Sequence, residues 1–391
     1  MTRSVIVSAV RTPVGKFGSA LRPCSAIDLG AASIREAMAR GAISPDEVDH
    51  VVMGHVLQAG TGQISSRQAA VAAGVPQEVP AITLNNVCLS SLTAIAYADQ
   101  LIRLGEIETA VAGGMESMTN APYLVREARW GGRLGAADLV DAMIYDGLWS
   151  TFTGQHMGES SDEVNAELGI TREEQDAWAA RSHQRAAEAR DTGRSAEEIV
   201  PVELNGSGGL VSEDEGIRPE STAASLAELP PAFGPGGTIT AGNASQLSDG
   251  AAAVTVMSRE RAAELGIEPL AEIVACGMSA ERFAYLHTVP ALALAEALKK
   301  AKLEVGDLGL LEVNEAFASV AVHATRMLGV SEEIVNVNGN SVALGHALGS
   351  TGARMAVTLV HEMRRRGVEC GAATLCGGGG QGYALVLRLP G

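Results

Sequence analysis

Cys88 sits in the run Leu84-Asn85-Asn86-Val87-Cys88-Leu89-Ser90-Ser91, between an extended apolar stretch at 80–84 and a mostly apolar helical stretch at 92–104. A thiol at a strand-to-helix junction lies near unpaired backbone N–H groups and the positive end of a helix dipole. Both favour thiolate over a reference pKa of about 8.5. Cys88 is therefore the leading candidate nucleophile. The competing reading is a buried structural cysteine, the usual fate of an intracellular thiol. Three further stretches carry groups fit for proton transfer or oxyanion binding. Asn314-Glu315-Ala316-Phe317 follows an apolar run at 308–313. Gly345-His346-Ala347-Leu348-Gly349 precedes the last long helical segment, and Cys376-Gly377-Gly378-Gly379-Gly380-Gln381-Gly382 follows a strand-like run. Each places its polar group at a strand end or a helix start, where open α/β sheets gather their active sites. Alone, a glycine-flanked histidine such as His346 also suits a purely structural turn.

Simpler motifs fail. Gly377-x-Gly379-x-x-Gly382 matches a dinucleotide fingerprint literally, but only nine residues follow it, with neither a helix nor an acidic ribose partner. Cys88, His156, His346 and Cys376 lack the paired spacing of metal ligands, so no metal is expected. There is no P-loop and no G-x-S-x-G elbow.

The elements that must position these groups alternate. Strand-like runs fall at 4–10, 51–56, 109–112, 251–257, 271–276, 334–337, 373–376 and 383–389, mostly apolar with few alternating polar positions. Strands covered on both faces imply α/β layering. The two ends of the chain also resemble each other. A helical segment and an acidic turn precede a strand at 44–54 and again at 305–315. A second helix starts some forty residues later, at Cys88 and near Leu348, and leads to a strand ending in Gly113-Gly114 or Gly377-Gly378. Such spacing predicts duplication of one α/β unit. Between about residues 116 and 243 charge, Gly and Pro increase, with Arg126, Arg129 and Arg133 around Trp130 and a capping-box helix start at Thr171-Arg172-Glu173-Glu174. This reads as an insertion carrying loops for substrate recognition.

At 391 residues the chain is too long for one ordinary core. A hydrophobic share of 46% and a charged share of 19% read as globular and core-rich. The net charge of −17 argues against nucleic-acid binding while leaving room for an anionic ligand held by local arginines or helix N-termini. Five cysteines without C-x-x-C spacing fit a reduced, cytoplasmic setting. The first apolar run is strand-length and stops at Arg11, unlike a leader, and no apolar stretch is long enough to span a bilayer.

Taken in order, Arg11-Thr12-Pro13-Val14-Gly15, Val111-Ala112-Gly113-Gly114-Met115-Glu116-Ser117-Met118, His156-Met157-Gly158, Thr240-Ala241-Gly242-Asn243-Ala244-Ser245, Asn314-Glu315-Ala316-Phe317, Gly345-His346 and Cys376-Gly377-Gly378 resemble the motifs of the thiolase family. The resemblance runs essentially end to end. It implies a five-layered αβαβα fold of two duplicated halves: residues 1–118 completed by about 246–268, and residues 269–391, with a loop domain at 119–245. It implies a CoA-dependent acyltransferase with no permanently bound cofactor, coenzyme A and acyl-CoA as partners, and a homodimer or homotetramer. Cys88 would take the acyl group while His346 accepts the thiol proton, and Cys376 would move the proton at Cα of acetyl-CoA. One oxyanion pocket would comprise His346 and a water held by Asn314; the other, the backbone N–H groups of Cys88 and Gly378, glycine there letting the backbone approach substrate. For CoA the family pattern implies Arg218 beside the adenine, Ser225 in the loop domain, Ser245 near the pantetheine amide, and His156 and Met157 flanking the pantetheine and acyl end.

Four positions depart from the pattern. Ser91 replaces a glycine after the nucleophile, where it could narrow the pocket or cap the helix. Asn340 replaces a glycine, and Ala347 replaces a proline, predicting a looser His346 loop. Phe283-Ala284-Tyr285-Leu286 stands where relatives often carry a small, flexible stretch, which leans toward short or medium acyl chains unless these residues pack outward against a subunit partner. Two other readings compete. A decarboxylating ketoacyl-synthase-type enzyme shares the fold but lacks a second catalytic cysteine, and a silent acyl-CoA- or lipid-binding relative would not require Cys88, His346 and Cys376 together.

Overall fold

Two apolar strands meet edge to edge at the centre of the chain's architecture, and everything else is stacked on the sheet they join. The computed structural model describes residues 3–132, 134–204 and 209–390; Arg133 and the first two residues lie outside them. In the N-terminal half, β1 (Ser4–Arg11), β2 (His50–Gly54), β3 (Ala81–Leu84) and β4 (Thr109–Ser117) alternate with α1 (Ala26–Arg40), α2 (Ser65–Ala73) and α3 (Ser90–Leu104). Two longer helices of the intervening segment are α4 (Met157–Leu168) and α5 (Arg172–Asp191). Then follow β5 (Ser248–Ser258), β6 (Ala271–Ala280), α6 (Val289–Ala301), β7 (Leu310–Val313), α7 (Ala318–Leu328), α8 (Thr351–Arg366), β8 (Cys370–Gly377) and β9 (Gln381–Arg388).

The strand order is β7-β8-β9-β6-β1-β5-β4-β2-β3. β6 and β1 join through only two antiparallel pairs, Val5 with Glu272 and Ile6 with Ala271. Either side of that seam the pattern repeats. β2 pairs parallel to β4 as β7 pairs parallel to β8, and β4–β5 and β8–β9 are antiparallel. Three apolar clusters show the layers. Leu29 and Ile34 of α1 pack with Ala69 of α2 on Val51, Val111 and Ala253. Leu92 and Ile95 of α3 pack with Met355 and Leu359 of α8 between Val254 of one half and Leu385 of the other. Leu294 of α6 and Ala321 of α7 cover Leu311 and Val386. The order is therefore helix, sheet, helix, sheet, helix. Ala253 and Val254, adjacent in β5, face different layers, as a period of two requires.

The expected strand at 334–337 does not form. Only Val335 bridges to Leu311, where the other half has the full pairing of β3 with β2. Asn336 breaks the run with φ of +49°, and its side chain takes over the ladder, its Oδ1 accepting from Val313 N and its Nδ2 donating to Val313 O, both at 2.8 Å. The segment between Ser117 and Ser248 adds no strand to the main sheet among the described residues. Buried polar bonds hold it down. Arg11 donates to Glu198 at 2.8 Å and to both oxygens of Asp214 at 2.7 and 2.9 Å. Trp178 and Ser182 of α5 donate to the two oxygens of Glu315 at 2.9 and 2.7 Å. Among the described residues no helix is long and apolar enough to cross a membrane.

Candidate active site

Cys88 occupies the turn that carries β3 into α3. Val87 before it is left-handed, φ +48°, a strained conformation for a β-branched residue. Three bonds hold it there: Asn85 Oδ1 accepts from Val87 N at 3.0 Å, and Ser90 Oγ accepts from Asn86 N at 2.9 Å and donates to Val87 O at 2.6 Å. The helix begins at Ser90, so the thiol lies just outside it, and it is buried. Burial pushes the thiol up to about 12; the N–H groups of Cys88 itself and of Gly378 pull it down, and the charge of Glu116 adds to the rise. Desolvation of the charged form thus opposes the thiolate that the strand-to-helix position favours.

His346 supplies what the thiol lacks. Its Nε2 lies 3.2 Å from Cys88 Sγ, and its Nδ1 lies 2.7 Å from Thr351 Oγ1. The Thr351 hydroxyl donates to Ala347 O at 2.9 Å, so its oxygen is left to accept, and the imidazole proton belongs on Nδ1. The Nε2 lone pair then faces the thiol. Burial first, and the charge of Arg354 second, lower His346 to about 3, which favours the neutral imidazole. Gly345 has φ of +114°, open to glycine but costly for other residues, and a Cβ there would press on Val14 and Ser248. Although Ala347 replaces a proline, the loop is tied by His346 N to Gln246 O at 3.0 Å and by Ala347 O accepting from Ser350 and Thr351.

Cys376 is the penultimate residue of β8, fully buried, packed with Leu286, Ala316 and Phe317. Burial and the neighbouring Cys88 both raise its thiol. Gly378 follows. A Cβ on it would meet Val87 at 3.5 Å and Met157 at 3.8 Å, ordinary contacts, so any need for glycine comes from what docks there. Asn314 caps the end of β7, its N–H bonded to Thr374 O at 3.0 Å. Its Oδ1 accepts from Ser341 Oγ at 2.6 Å, and its buried Nδ2 has no partner among the described residues.

Two cavities adjoin these groups, sharing Gly147 and Met157. The inner one, about 240 Å³, is lined by Cys88, His346, His156, Ser245, Phe317 and Leu348 among others. The outer one, about 440 Å³, is bordered by Val87, Gly378, Gly379, Phe152, Phe283 and Leu286. Phe152 and Phe283 stack with ring centroids 4.3 Å apart. Tyr285 turns elsewhere, under the guanidinium of Arg282. Of the residues expected to meet CoA, Ser245, His156 and Met157 are therefore at the inner cavity; His156 stacks on Phe233 and accepts from Gly158 N at 3.1 Å. Arg218 and Ser225 line neither cavity. Arg218 N donates to His183 at 3.2 Å, and Ser225 closes a capping box with Thr222.

Sequence reasoning missed Thr351 and the wiring of Glu116. Ser350-Thr351 after a glycine is a helix-start signal that could have drawn attention to Thr351. Glu116 lay inside a quoted motif, but its partners are distant in sequence: its carboxylate accepts from Val56 and Leu57 at 3.1 Å and from Gly349 at 2.9 Å, tying a cavity wall to the His346 loop. Ser91 caps the opposite helix, accepting from Ala353 N of α8 at 2.9 Å.

Residues 4–260 match the family described as thiolase, N-terminal domain, and residues 267–389 match thiolase, C-terminal domain. A probable acetyl-CoA acetyltransferase of Mycobacterium leprae (strain TN) is 50% identical over 391 residues, 99% of this chain and 100% of that one. An acetyl-CoA acetyltransferase of Syntrophomonas wolfei is 46% identical over 394 residues, with the same coverage. The crystal structure of the Bacillus anthracis acetyl-CoA acetyltransferase superposes with a TM-score of 0.97 at 41% identity, covering 100% of this chain and 99% of that one. A five-layered fold, a thiol facing an imidazole across two similar halves, and full-length matches on both halves agree: the chain belongs to the thiolase family.

Proposed function

We propose that the chain is an acetyl-CoA C-acyltransferase that cleaves 3-ketoacyl-CoA with coenzyme A and, in reverse, condenses acyl-CoA with acetyl-CoA. The observation that carries this reading is the 3.2 Å approach of His346 Nε2 to Cys88 Sγ, beside a second buried thiol. In thiolysis Cys88 gives its proton to His346 Nε2 and attacks the 3-keto carbon. The Cα–Cβ bond breaks, and Cys376, kept protonated by burial, gives its proton to the acetyl-CoA carbanion. Coenzyme A then loses its thiol proton to Cys376 and attacks the acyl group, and the departing Cys88 sulfur recovers its proton from His346. Protons balance over the cycle. The N–H groups of Cys88 and Gly378, which both reach the sulfur, suit the acyl oxyanion; His346 and a water on Asn314 suit the enolate oxygen. Donors of this kind contribute about 3 kcal/mol each.

The family pattern supports Ser245, His156 and Met157 as pantetheine contacts, and, outside the two cavities, Arg218 and Ser225 as contacts to more distant parts of CoA. No permanent cofactor enters this scheme. The names of the relatives and the small inner cavity support short or medium acyl chains and a role in fatty acid metabolism. We take residues 1–118 with 246–268, 119–245 and 269–391 as the domains, because the main sheet draws its long strands from the first and third. Exposed Tyr123, Trp130 and Leu139 support a homodimer or homotetramer. Five cysteines without C-x-x-C spacing support a cytoplasmic setting. Initial rates of thiolysis across 3-ketoacyl-CoA chain lengths test the reading. A maximum at four to about eight carbons is expected, and no thiolysis at any length would overturn it.

A further inference from the structure

Asn314, Asn340, Ser341 and Arg354 are all buried and lie in one chain of hydrogen bonds whose direction is forced. A guanidinium can only donate. Arg354 Nη2 donates to Ser341 Oγ at 2.8 Å and also to Asn340 Oδ1. Asn340 Oδ1 accepts a second bond from Ser341 N at 2.8 Å, which fills its two lone pairs. Asn340 Nδ2 donates to Glu312 at 2.7 Å and to Asn336 Oδ1 at 3.2 Å, fixing that amide's orientation in turn. The Ser341 hydroxyl lies 3.1 Å from Asn340 Oδ1, whose lone pairs those two donors already take, and 2.6 Å from Asn314 Oδ1, so its hydrogen goes to the open and nearer acceptor, Asn314. Asn314 must turn its oxygen toward Ser341, and its Nδ2, buried and without a partner among the described residues, is the free end.

We propose that Ser341 and Arg354 are positioning residues that lock the Asn314 carboxamide with its N–H₂ group free to donate toward the reacting oxygen, directly or through one water. Asn314 leads into Ala316 and Phe317, which wall the cavity holding Cys88 and His346. An amide flipped by half a turn would offer a carbonyl instead, which repels an oxyanion. Side-chain amides flip readily unless their partners forbid it. Here the prohibition starts at a buried cation two bonds away, and Asn340 and Ser341 transmit it. This places a function on Asn340, one of the departures from the family pattern.

The inference rests on the thiolase reading, and the test separates the two. Thiolysis and acetylation of Cys88 are measured for the native chain, Ser341→Ala, Asn314→Ala and the double variant, with melting temperature as the check on folding. Ser341→Ala is expected to lower kcat roughly 10- to 100-fold, as small misplacements of catalytic groups do. KM is expected within twofold of native. In the Asn314→Ala background the same change is expected to cost less than twofold, because its effect passes through Asn314. Equal losses in both backgrounds, or none in either, would overturn the proposal. A native chain that is neither acetylated nor active would overturn the function itself. Neutron diffraction from deuterium-exchanged crystals reads the lock without turnover: two deuterons on the Asn314 atom remote from Ser341 are expected, and deuterons on the atom facing Ser341 Oγ would contradict it.

Discussion

Helices α3 and α8 lie side by side in the middle layer, each entered from a turn that presents one member of the proposed nucleophile–base pair, Cys88 in one half and His346 in the other. The two turns hold their cargo differently. The Cys88 turn is braced locally, by Asn85, Asn86 and Ser90 around a left-handed Val87, and the sulfur's donors are backbone N–H groups, its own and that of Gly378 from the opposite half. The His346 turn is held through side chains, with nearby Thr351 fixing the tautomer and Glu116 of the opposite half tying Gly349. A nucleophile must be free to form and break a bond, so backbone donors suffice around it. A base must keep one nitrogen aimed and unprotonated, and that takes partners of fixed polarity. Duplication supplied two equivalent places, and the side chains around them made the places unequal.

The largest effect is expected from removing Cys88, the proposed nucleophile. Cys88→Ala is expected to abolish thiolysis, a loss on the order of 10⁴-fold or more, in steady-state assays. Cys376→Ala should cost roughly 10²- to 10⁴-fold in thiolysis and condensation while acetylation of Cys88 persists. Loss of acetylation in a folded Cys376→Ala variant would collapse the division between the two thiols. Thr351→Val keeps the shape and removes the acceptor for Nδ1–H, so acetylation should slow roughly 10- to 100-fold with KM unchanged.

The resting charge state gives a sharper probe. A raised thiol pKa lowers the thiolate fraction at any given pH, and each added pH unit below that pKa restores it tenfold. With Cys88 pushed up to about 12 and His346 held down to about 3, alkylation of Cys88 by iodoacetamide should climb roughly tenfold per unit between about pH 6 and 8. A flat rate across that range would mean a thiolate–imidazolium pair at rest. The smallest effect belongs to Ser91: Ser91→Ala removes a cap on α8 and should cost about 1 kcal/mol in stability, read by chemical denaturation, with kcat/KM unaltered.

The layered fold was legible in the sequence because fully buried strands are apolar throughout and both halves repeat the same order. Residues 334–337 misled for that same reason: Ile334, Val335 and Val337 look like strand, and only the side chain of Asn336 prevents it. Cys88, His346 and Cys376 stood out through glycine and helix-start punctuation, and the structure brings the first two into contact. Their charge states did not stand out, because burial by distant elements decides them and local spacing carries no record of it. Thr351, Ser341 and Arg354 were hidden for a related reason. Each is an ordinary helix residue until the fold sets a partner opposite it.

The central claim is that one half provides the nucleophile and the other its base. It is tested most directly by mixing acetyl-CoA with the native chain, His346→Ala and Cys376→Ala, quenching in acid within a second, and locating the acetyl group by peptide mass spectrometry. Acetyl is expected on Cys88 in the native chain and in Cys376→Ala, with at least about 10²-fold slower labelling in His346→Ala. Acetyl on Cys376, or labelling of Cys88 at the native rate without His346, would contradict it.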